Sequence, residues 1–218
     1  MTPQVSSPGR FIVFEGGEGA GKSTQLRMLA GRLAAAGVPV VSTREPGGTP
    51  TAEAIRSVLL TPTADPMAAR CEALLFAAAR ADHVAQVIAP AVTAGQVVLC
   101  DRFVDSSLAY QGYARSLAVD EVRALSTWAT GGLVPDLTVL LDIAPAQGLA
   151  RAQDGNRMEG EALEFHERVR LGLLDLAAAA PERYLVLAAD DDAEHVAEQV
   201  HRRVASLLPT GGGEAVAP

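Results

Sequence analysis

The stretch RFIVFEGGEGAGKS, residues 10–23, decides the fold. Its first part is a short apolar run typical of a buried strand, and its second part, Gly16 to Ser23, satisfies the pattern G-x-x-x-x-G-K-[ST]. A helical pattern follows from near Lys22. Glycines let backbone N–H groups turn inward around a phosphate, and the helix N-terminus adds the positive end of a dipole. The stretch therefore predicts a strand–loop–helix unit that binds a nucleotide phosphate.

Four further apolar runs follow, separated by long stretches rich in Ala, Leu, Glu and Arg; they cover residues 38–42, 97–101, 137–142 and 184–188. Strands that alternate with helices predict a parallel sheet, and right-handed crossovers cover both of its faces with helices. The predicted fold class is thus α/β, of the P-loop NTPase type. Ligands are expected at the carboxyl ends of the strands, where Glu15, Asp101 and Asp142 stand.

Lys22 is the only lysine in a chain that holds eighteen lysine and arginine residues together. We expect its ammonium group to reach the β- and γ-phosphates of ATP, and the Ser23 hydroxyl and the Asp101 carboxylate to hold Mg²⁺ or its waters. Asp142 is a second candidate for the ion, and it is equally typical of a helix-capping carboxylate. A guanine-reading N-K-x-D motif is excluded because the only lysine lies in the P-loop. The residues expected to bind ATP are Gly16, Gly17, Glu18, Gly19, Ala20, Gly21, Lys22, Ser23 and Thr24.

The composition favours one domain without a polymer partner. Of 218 residues, 49% are hydrophobic, and the formal net charge of −8 provides no positive field to attract nucleic acid. The chain opens on no leader-like segment and has no run of eighteen apolar residues, which predicts a cytoplasmic protein away from membranes. We expect disordered tails at 1–9 and 209–218 around a domain at 10–208. Cys71 and Cys100 match no metal-ligand spacing and are predicted to be buried.

Several motifs beyond the P-loop occur in a fixed order: TREPGGT (43–49), LLFAAAR (74–80), DRFVDSSLAYQG (101–112), PDLTVLLD (135–142) and NRMEGEALEFHERV (156–169). In this combination, over most of its length, the chain resembles the bacterial thymidylate kinases. The resemblance implies a five-stranded parallel sheet, a homodimer, and transfer of a phosphoryl group from Mg²⁺-bound ATP to thymidine monophosphate (dTMP).

The resemblance also implies how the thymine base is bound. Phe76 would stack on the ring, and Arg80, one helical turn later, would hydrogen-bond its exposed oxygen. Without the resemblance, Phe76 is more typical of a core aromatic residue. Ser107 and Gln111 would complete the polar contacts, while Tyr110 would lie against the sugar and disfavour a ribose hydroxyl.

Charged residues would hold the rest of the acceptor nucleotide. By the same resemblance, Glu18 would accept a hydrogen bond from the sugar 3′-OH. Arg56 and Arg102 would clamp the monophosphate, and Arg102 would also touch the transferred group. Arg44 and Glu45 would shape this pocket, with Glu45 reaching the metal through a bound water.

A polar, glycine-containing segment at about 150–161 is either an ordinary loop or a short lid over the site. Family members supply a further arginine from the P-loop or from a lid that closes over ATP. This P-loop has no arginine, so we expect Arg151 or Arg157 to act, and both join Lys22 and Arg102 as candidate catalytic residues.

Two alternative functions stay open at this point. The first is a kinase for another nucleoside monophosphate, against which the stretches LLFAAAR and SSLAYQG argue. The second is a nucleotide-binding regulator with weak catalysis, against which the intact Lys22, Ser23, Asp101 and Arg102 argue.

Overall fold

A computed structural model describes residues 9–62, 65–152 and 155–208 of the chain. Within these ranges, five strands form one sheet in the order β2-β3-β1-β4-β5, and every neighbouring pair is parallel. The strands are β1 (Arg10–Gly16), β2 (Val40–Arg44), β3 (Val97–Asp101), β4 (Leu137–Asp142) and β5 (Tyr184–Ala188). This topology confirms the predicted fold class and the number of strands.

Helices connect the strands and cover both faces of the sheet. Those of the described residues are α1 (Lys22–Ala35), α2 (Pro50–Leu60), α3 (Ala69–His83), α4 (Ala89–Thr93), α5 (Val104–Ser107), α6 (Val119–Thr130), α7 (Pro145–Arg151), α8 (Leu163–Ala179) and α9 (Ala193–Ala205). A π-helical stretch, Val84–Ile88, joins α3 to α4, and another, Leu108–Ala114, continues α5. A short 3₁₀ helix, Pro181–Arg183, precedes β5.

The central strand β1 is buried on both of its faces. Ile12 and Phe14 pack with α1 and α9 on one side, while Phe11 and Val13 pack on the other side against the segment around Ile88. Successive side chains of a strand point to opposite faces, so one apolar run serves two core layers. This burial fixes the strand that carries the P-loop in the middle of the molecule.

The prediction that both cysteines are buried is half wrong. Cys100 in β3 is buried, whereas Cys71 is exposed near the start of α3. The next two residues, Glu72 and Ala73, face inward, so helical periodicity leaves position 71 on the solvent side.

The predicted tails fall mostly outside the described residues, which omit 1–8 and 209–218. Gly9, which we placed in the first tail, is buried, and its N–H donates to the Val92 carbonyl. Among the helices that the structure describes, none is long and apolar enough to cross a membrane.

Candidate active site

The P-loop connects β1 to α1 and is shaped by close backbone contacts. Gly19 has φ +64°, and a Cβ at this position would lie 2.0 Å from the Gly148 carbonyl oxygen of α7, so only glycine fits. Lys22 is buried, and its Nζ donates to the carbonyls of Gly16 (3.1 Å) and Gly17 (2.8 Å). Burial and the neighbouring charge of Arg102 lower the pKa of Lys22. The ammonium group is therefore held within the loop that is built to surround phosphate.

Ser23 and Asp101 form the oxygen pair that the sequence predicts for a metal ion. The Ser23 hydroxyl donates to Asp101 Oδ2 at 2.7 Å, joining the first turn of α1 to the end of β3. In the described part of the chain, no three His, Cys, Asp or Glu residues cluster as a metal cage. The pair fits Mg²⁺, which takes few protein oxygens and completes its octahedron with phosphate and water.

Asp142, the second metal candidate, is engaged elsewhere. Its two carboxylate oxygens accept hydrogen bonds from Nε and Nη2 of Arg170 at 2.6 and 2.8 Å. This bidentate pair ties the end of β4 to α8, which is a structural role.

Glu18 lies between two partners that belong to the stretch after β3. Its Oε1 accepts hydrogen bonds from Arg102 Nη2 (2.9 Å) and from the Tyr110 hydroxyl (2.7 Å). Although burial alone raises the pKa of Glu18, the charges of Arg102 and Lys22 lower it to about 2. Arg102 is also bound to Gly16, whose carbonyl accepts from Nη1 at 3.0 Å. The ionised carboxylate of Glu18 thus joins the P-loop to the segment after β3 that carries Arg102 and Tyr110.

A cleft of about 650 Å³ opens beside the P-loop and contains most of the predicted site residues. Its lining includes both the predicted phosphate-binding residues and the predicted base-binding residues. The predicted residues that line it are Glu18, Gly19, Ala20, Gly21, Lys22, Ser23, Thr24, Arg44, Glu45, Arg56, Phe76, Asp101, Arg102, Ser107, Tyr110, Gln111 and Arg151. Gly16, Gly17, Arg80 and Arg157 lie outside this lining.

Arg80 is buried behind the wall of the cleft, with 2% of its surface exposed. Its Nε donates to Glu45 Oε2 at 2.7 Å, and its Nη2 donates to the Phe103 carbonyl and the Ser107 hydroxyl, both at 3.0 Å. The other oxygen of Glu45 lies 3.1 Å from Nδ1 of His83. In this arrangement Arg80 fixes two cleft residues, Glu45 and Ser107.

Arg44 and Arg56 both line the cleft, and each is bound at its rim. Nη1 of Arg56 donates to the Pro46 carbonyl at 2.8 Å, while Arg44 pairs with both oxygens of Glu53. Burial and the nearby charge of Arg44 lower the pKa of Arg56. A second cation so close to Arg56 favours an anion between or beside the two.

The two candidate lid arginines occupy different environments. Arg151 ends α7, lines the cleft, and donates to the Ala189 carbonyl at 3.1 Å. Arg157 donates through Nε to the Leu59 carbonyl at 2.7 Å, and its Nη2 lies 2.8 Å from Glu72 Oε2. Of the predicted lid at 150–161, residues 153 and 154 lie outside the described ranges.

Two buried carboxylates that support the site received no role from the sequence. Glu15 accepts the backbone N–H groups of Phe103 and Ser106 as well as the Ser106 hydroxyl, which holds the segment that carries Arg102. Glu72 binds Gln111 of the cleft wall. The position of Glu15 near the end of a strand could have indicated a role in the site. Glu72 gives no such indication, because it is an ordinary acidic residue in the first turn of a helix.

These features together define a class of protein. The P-loop follows the central strand of a parallel sheet, and a lysine, an oxygen pair and several arginines surround one cleft at the carboxyl ends of the strands. Such a site binds two phosphate-bearing molecules in one space, as a P-loop phosphotransferase does.

Comparison with known proteins identifies the family. The family model for thymidylate kinase matches residues 14–200. The chain is 50% identical to thymidylate kinase of Cutibacterium acnes over 92% of this chain and 98% of that protein. It is 53% identical to thymidylate kinase of a Synechococcus species over 87% of this chain and 92% of that protein. The chain belongs to the thymidylate kinase family, which confirms the predicted resemblance.

A solved structure agrees with this assignment. Thymidylate kinase from Ehrlichia chaffeensis is 32% identical to the chain and superposes with a TM-score of 0.77, covering 91% of this chain and 100% of that one.

Proposed function

We propose that the chain transfers the γ-phosphoryl group of Mg²⁺-bound ATP to dTMP, which yields ADP and dTDP. Family membership at about half identity over nearly the whole length supports both substrates. The observation that carries the proposal is the single cleft whose lining joins Lys22 and Ser23 to Phe76 and Gln111. Phosphoryl transfer requires donor and acceptor to be held in line, and one shared cleft meets this requirement.

ATP binds with its phosphates in the P-loop, residues Gly16 to Thr24. Bound Mg²⁺ supplies positive charge to the β- and γ-phosphates. The residues that would hold the ion are Ser23 and Asp101. Glu45, which lines the same cleft, would assist through a bound water.

The acceptor lies against the opposite wall, with thymine on the Phe76 ring and the base edge at Ser107 and Gln111. Phe76 is half-buried and lines the cleft, so its ring has a free face for stacking. Arg80 lies behind this wall and holds Ser107 in place.

Lys22 and Arg102 stabilise the negative charge of the transferred phosphoryl group. Arg44 and Arg56 hold the phosphate of the acceptor. Glu18 orients Arg102 and accepts the sugar 3′-OH with its remaining oxygen, while Tyr110 excludes a 2′-hydroxyl. Arg151, which lines the cleft, provides the further arginine of the donor side. Fixed donors of this kind stabilise developing charge without reorganisation.

We also infer a cytoplasmic homodimer. Helices α2, α3 and α6 pack side by side, and each carries an exposed apolar side chain: Val58 (56% exposed), Leu74 (58%) and Trp128 (82%). Large apolar residues exposed on adjoining helices are typical of an interface between protein subunits.

The test is ADP formation from Mg²⁺-bound ATP with dTMP, dUMP, UMP, CMP, GMP and AMP as separate acceptors. Turnover confined mainly to dTMP, with weaker use of dUMP, supports the proposal, and Lys22→Ala sets the background. Preference for another acceptor would support the kinase activity but contradict the proposed thymine pocket. No transfer above the Lys22→Ala background would replace the enzyme with a nucleotide-binding regulator.

A further inference from the structure

Glu72 is a carboxylate buried completely within α3, one helical turn before Phe76. Three side chains from distant segments point at it. Gln111 Nε2 donates to Oε1 at 2.9 Å, Arg115 donates to both oxygens at 3.3 and 3.2 Å, and Arg157 Nη2 lies 2.8 Å from Oε2. Burial raises the pKa of Glu72, but the hydrogen bonds from Gln111 and Arg115 lower it below its ordinary value. Glu72 is therefore ionised and can only accept hydrogen bonds.

An ionised Glu72 determines which way the Gln111 amide points. Gln111 lies in the π-helical stretch Leu108–Ala114, is 1% exposed, and lines the cleft. Its amide has a donor end, the NH₂ group, and an acceptor end, the carbonyl oxygen. The NH₂ group faces Glu72, because a carboxylate cannot donate to the carbonyl. The carbonyl end is the one left for a base in the cleft.

We propose that Glu72 is a positioning residue that makes the base pocket select pyrimidines with a ring N3–H, thymine and uracil, over cytosine. This inference rests on the proposed function. Thymine offers a donor at N3, which the Gln111 carbonyl accepts. Cytosine offers an acceptor at N3, which would face that carbonyl without a hydrogen atom between them. Leaving two buried acceptors opposed costs the binding energy of at least one hydrogen bond.

Replacing Glu72 by glutamine should reverse the Gln111 amide. The guanidinium groups of Arg115 and Arg157 cannot accept, and two of their three contacts are with Oε2. The one carbonyl oxygen of the new side chain would therefore take the Oε2 position. Its NH₂ group would then face Gln111, whose carbonyl would turn away from the cleft to accept it. The Gln111 NH₂ group would be presented to the base, where it suits cytosine N3 and opposes thymine N3–H.

The experiment is a double-mutant cycle on substrate discrimination. We would measure kcat/KM for dTMP and dCMP in the wild type, Glu72→Gln, Gln111→Leu and the double variant. The ratio of dTMP to dCMP should fall about tenfold or more in Glu72→Gln, the effect of one misplaced hydrogen bond. It should not change when Glu72→Gln is added to Gln111→Leu, since the group through which Glu72 acts is then absent.

The outcomes separate this inference from the proposed function. A wild type that does not phosphorylate dTMP overturns the proposed function. A wild type that does, with an unchanged ratio in Glu72→Gln, overturns only the role of Glu72. If Glu72→Gln lowers the ratio equally in the wild-type and Gln111→Leu backgrounds, the role of Glu72 is also overturned, because its effect would then not pass through Gln111.

A measurement on the wild type keeps the inference testable if Glu72→Gln does not fold. In protein labelled with ¹⁵N-glutamine, the Gln111 side-chain signal is the one that disappears in Gln111→Leu. Its two NH₂ protons should exchange slowly with solvent, both in the free protein and with dTMP bound. Exchange as fast as that of an exposed glutamine would contradict the bond to Glu72.

Discussion

At the scale of single residues, the site depends on buried carboxylates that never touch substrate in the proposed mechanism. Glu15 is fully buried beneath the segment that carries Arg102, and it accepts hydrogen bonds from Phe103 and Ser106. Burial, with the nearby charge of Asp105, raises the pKa of Glu15 to about 7. Glu15, which supports the segment that carries Arg102, therefore titrates near neutral pH.

Replacing Glu15 by glutamine should therefore change how stability depends on pH. Between pH 4.5 and 7 the native Glu15 keeps a proton that the unfolded chain has released, so the native state loses stability as pH rises through this window. Glu15→Gln cannot release that proton. At about 1.4 kcal/mol per pKa unit, the free energy of unfolding of the variant relative to the wild type should rise by roughly 3 kcal/mol from pH 4.5 to pH 8.

Urea unfolding of both proteins at pH 4.5, 6 and 8 measures this difference. Glu167→Gln is the matched control, because Glu167 is exposed on α8, and it should give the same difference from the wild type at all three pH values. A pH-independent difference for Glu15→Gln would show that Glu15 does not carry the proton.

At the scale of elements, the short helix α7 and the segment after it place two arginines in different roles. Arg151→Ala should lower kcat by about tenfold or more and raise KM for dTMP less, because Arg151 lines the cleft beside Gly19 of the P-loop. Arg157→Ala should instead lower the free energy of unfolding by about 1–3 kcal/mol, because it removes a partner of buried Glu72 and of the Leu59 carbonyl.

Steady-state kinetics and urea unfolding of both variants test this division. Arg202→Ala, an exposed arginine of α9, provides the control for loss of a surface charge. Near-wild-type turnover in Arg151→Ala would remove Arg151 from the catalytic residues. A fall in kcat for Arg157→Ala without loss of stability would assign that role to Arg157.

The elements that could be predicted from sequence are those whose signal is local. The P-loop is contiguous, and its lysine, serine and glycines sit where the pattern requires them. The burial of Arg80 could not be predicted in the same way. Its partners Glu45 and Ser107 lie in other segments of the chain and become neighbours only when β2, α3 and α5 assemble.

The same reason explains why the role of Glu72 is invisible in the sequence. A glutamate in the first turn of a helix is commonly a solvated residue that favours the helix dipole. The partners of Glu72 are Gln111, Arg115 and Arg157, which only the tertiary fold brings close to it. The motif matches identify many of the residues that line the cleft, and the tertiary packing determines which of them are free to contact a ligand.

At the scale of the whole molecule, the exposed apolar residues on α2, α3 and α6 predict the assembly. Trp128→Glu should convert the dimer into a monomer, because a charge on a side chain that is 82% exposed in the single chain would be buried at the interface. Size-exclusion chromatography with light scattering measures the mass. Leu171→Glu, which places the same charge on α8 at a residue 59% exposed, should leave a dimer.

Two results would contradict the dimer prediction in different ways. A wild type with the mass of one chain overturns the dimer itself. A Trp128→Glu variant with the mass of two chains keeps the dimer and moves its interface away from α6.

Arg102 adopts a backbone conformation, φ +71°, that glycine tolerates and a long side chain does not favour. Its N–H is bound to the Phe14 carbonyl and its guanidinium group to Gly16 and Glu18, so the surrounding structure holds it there. Glycine would suit this turn best, but it has no side-chain charge with which to bind a phosphate. Arg102 thus places a charge that the proposed chemistry uses at a position where the backbone alone would favour glycine.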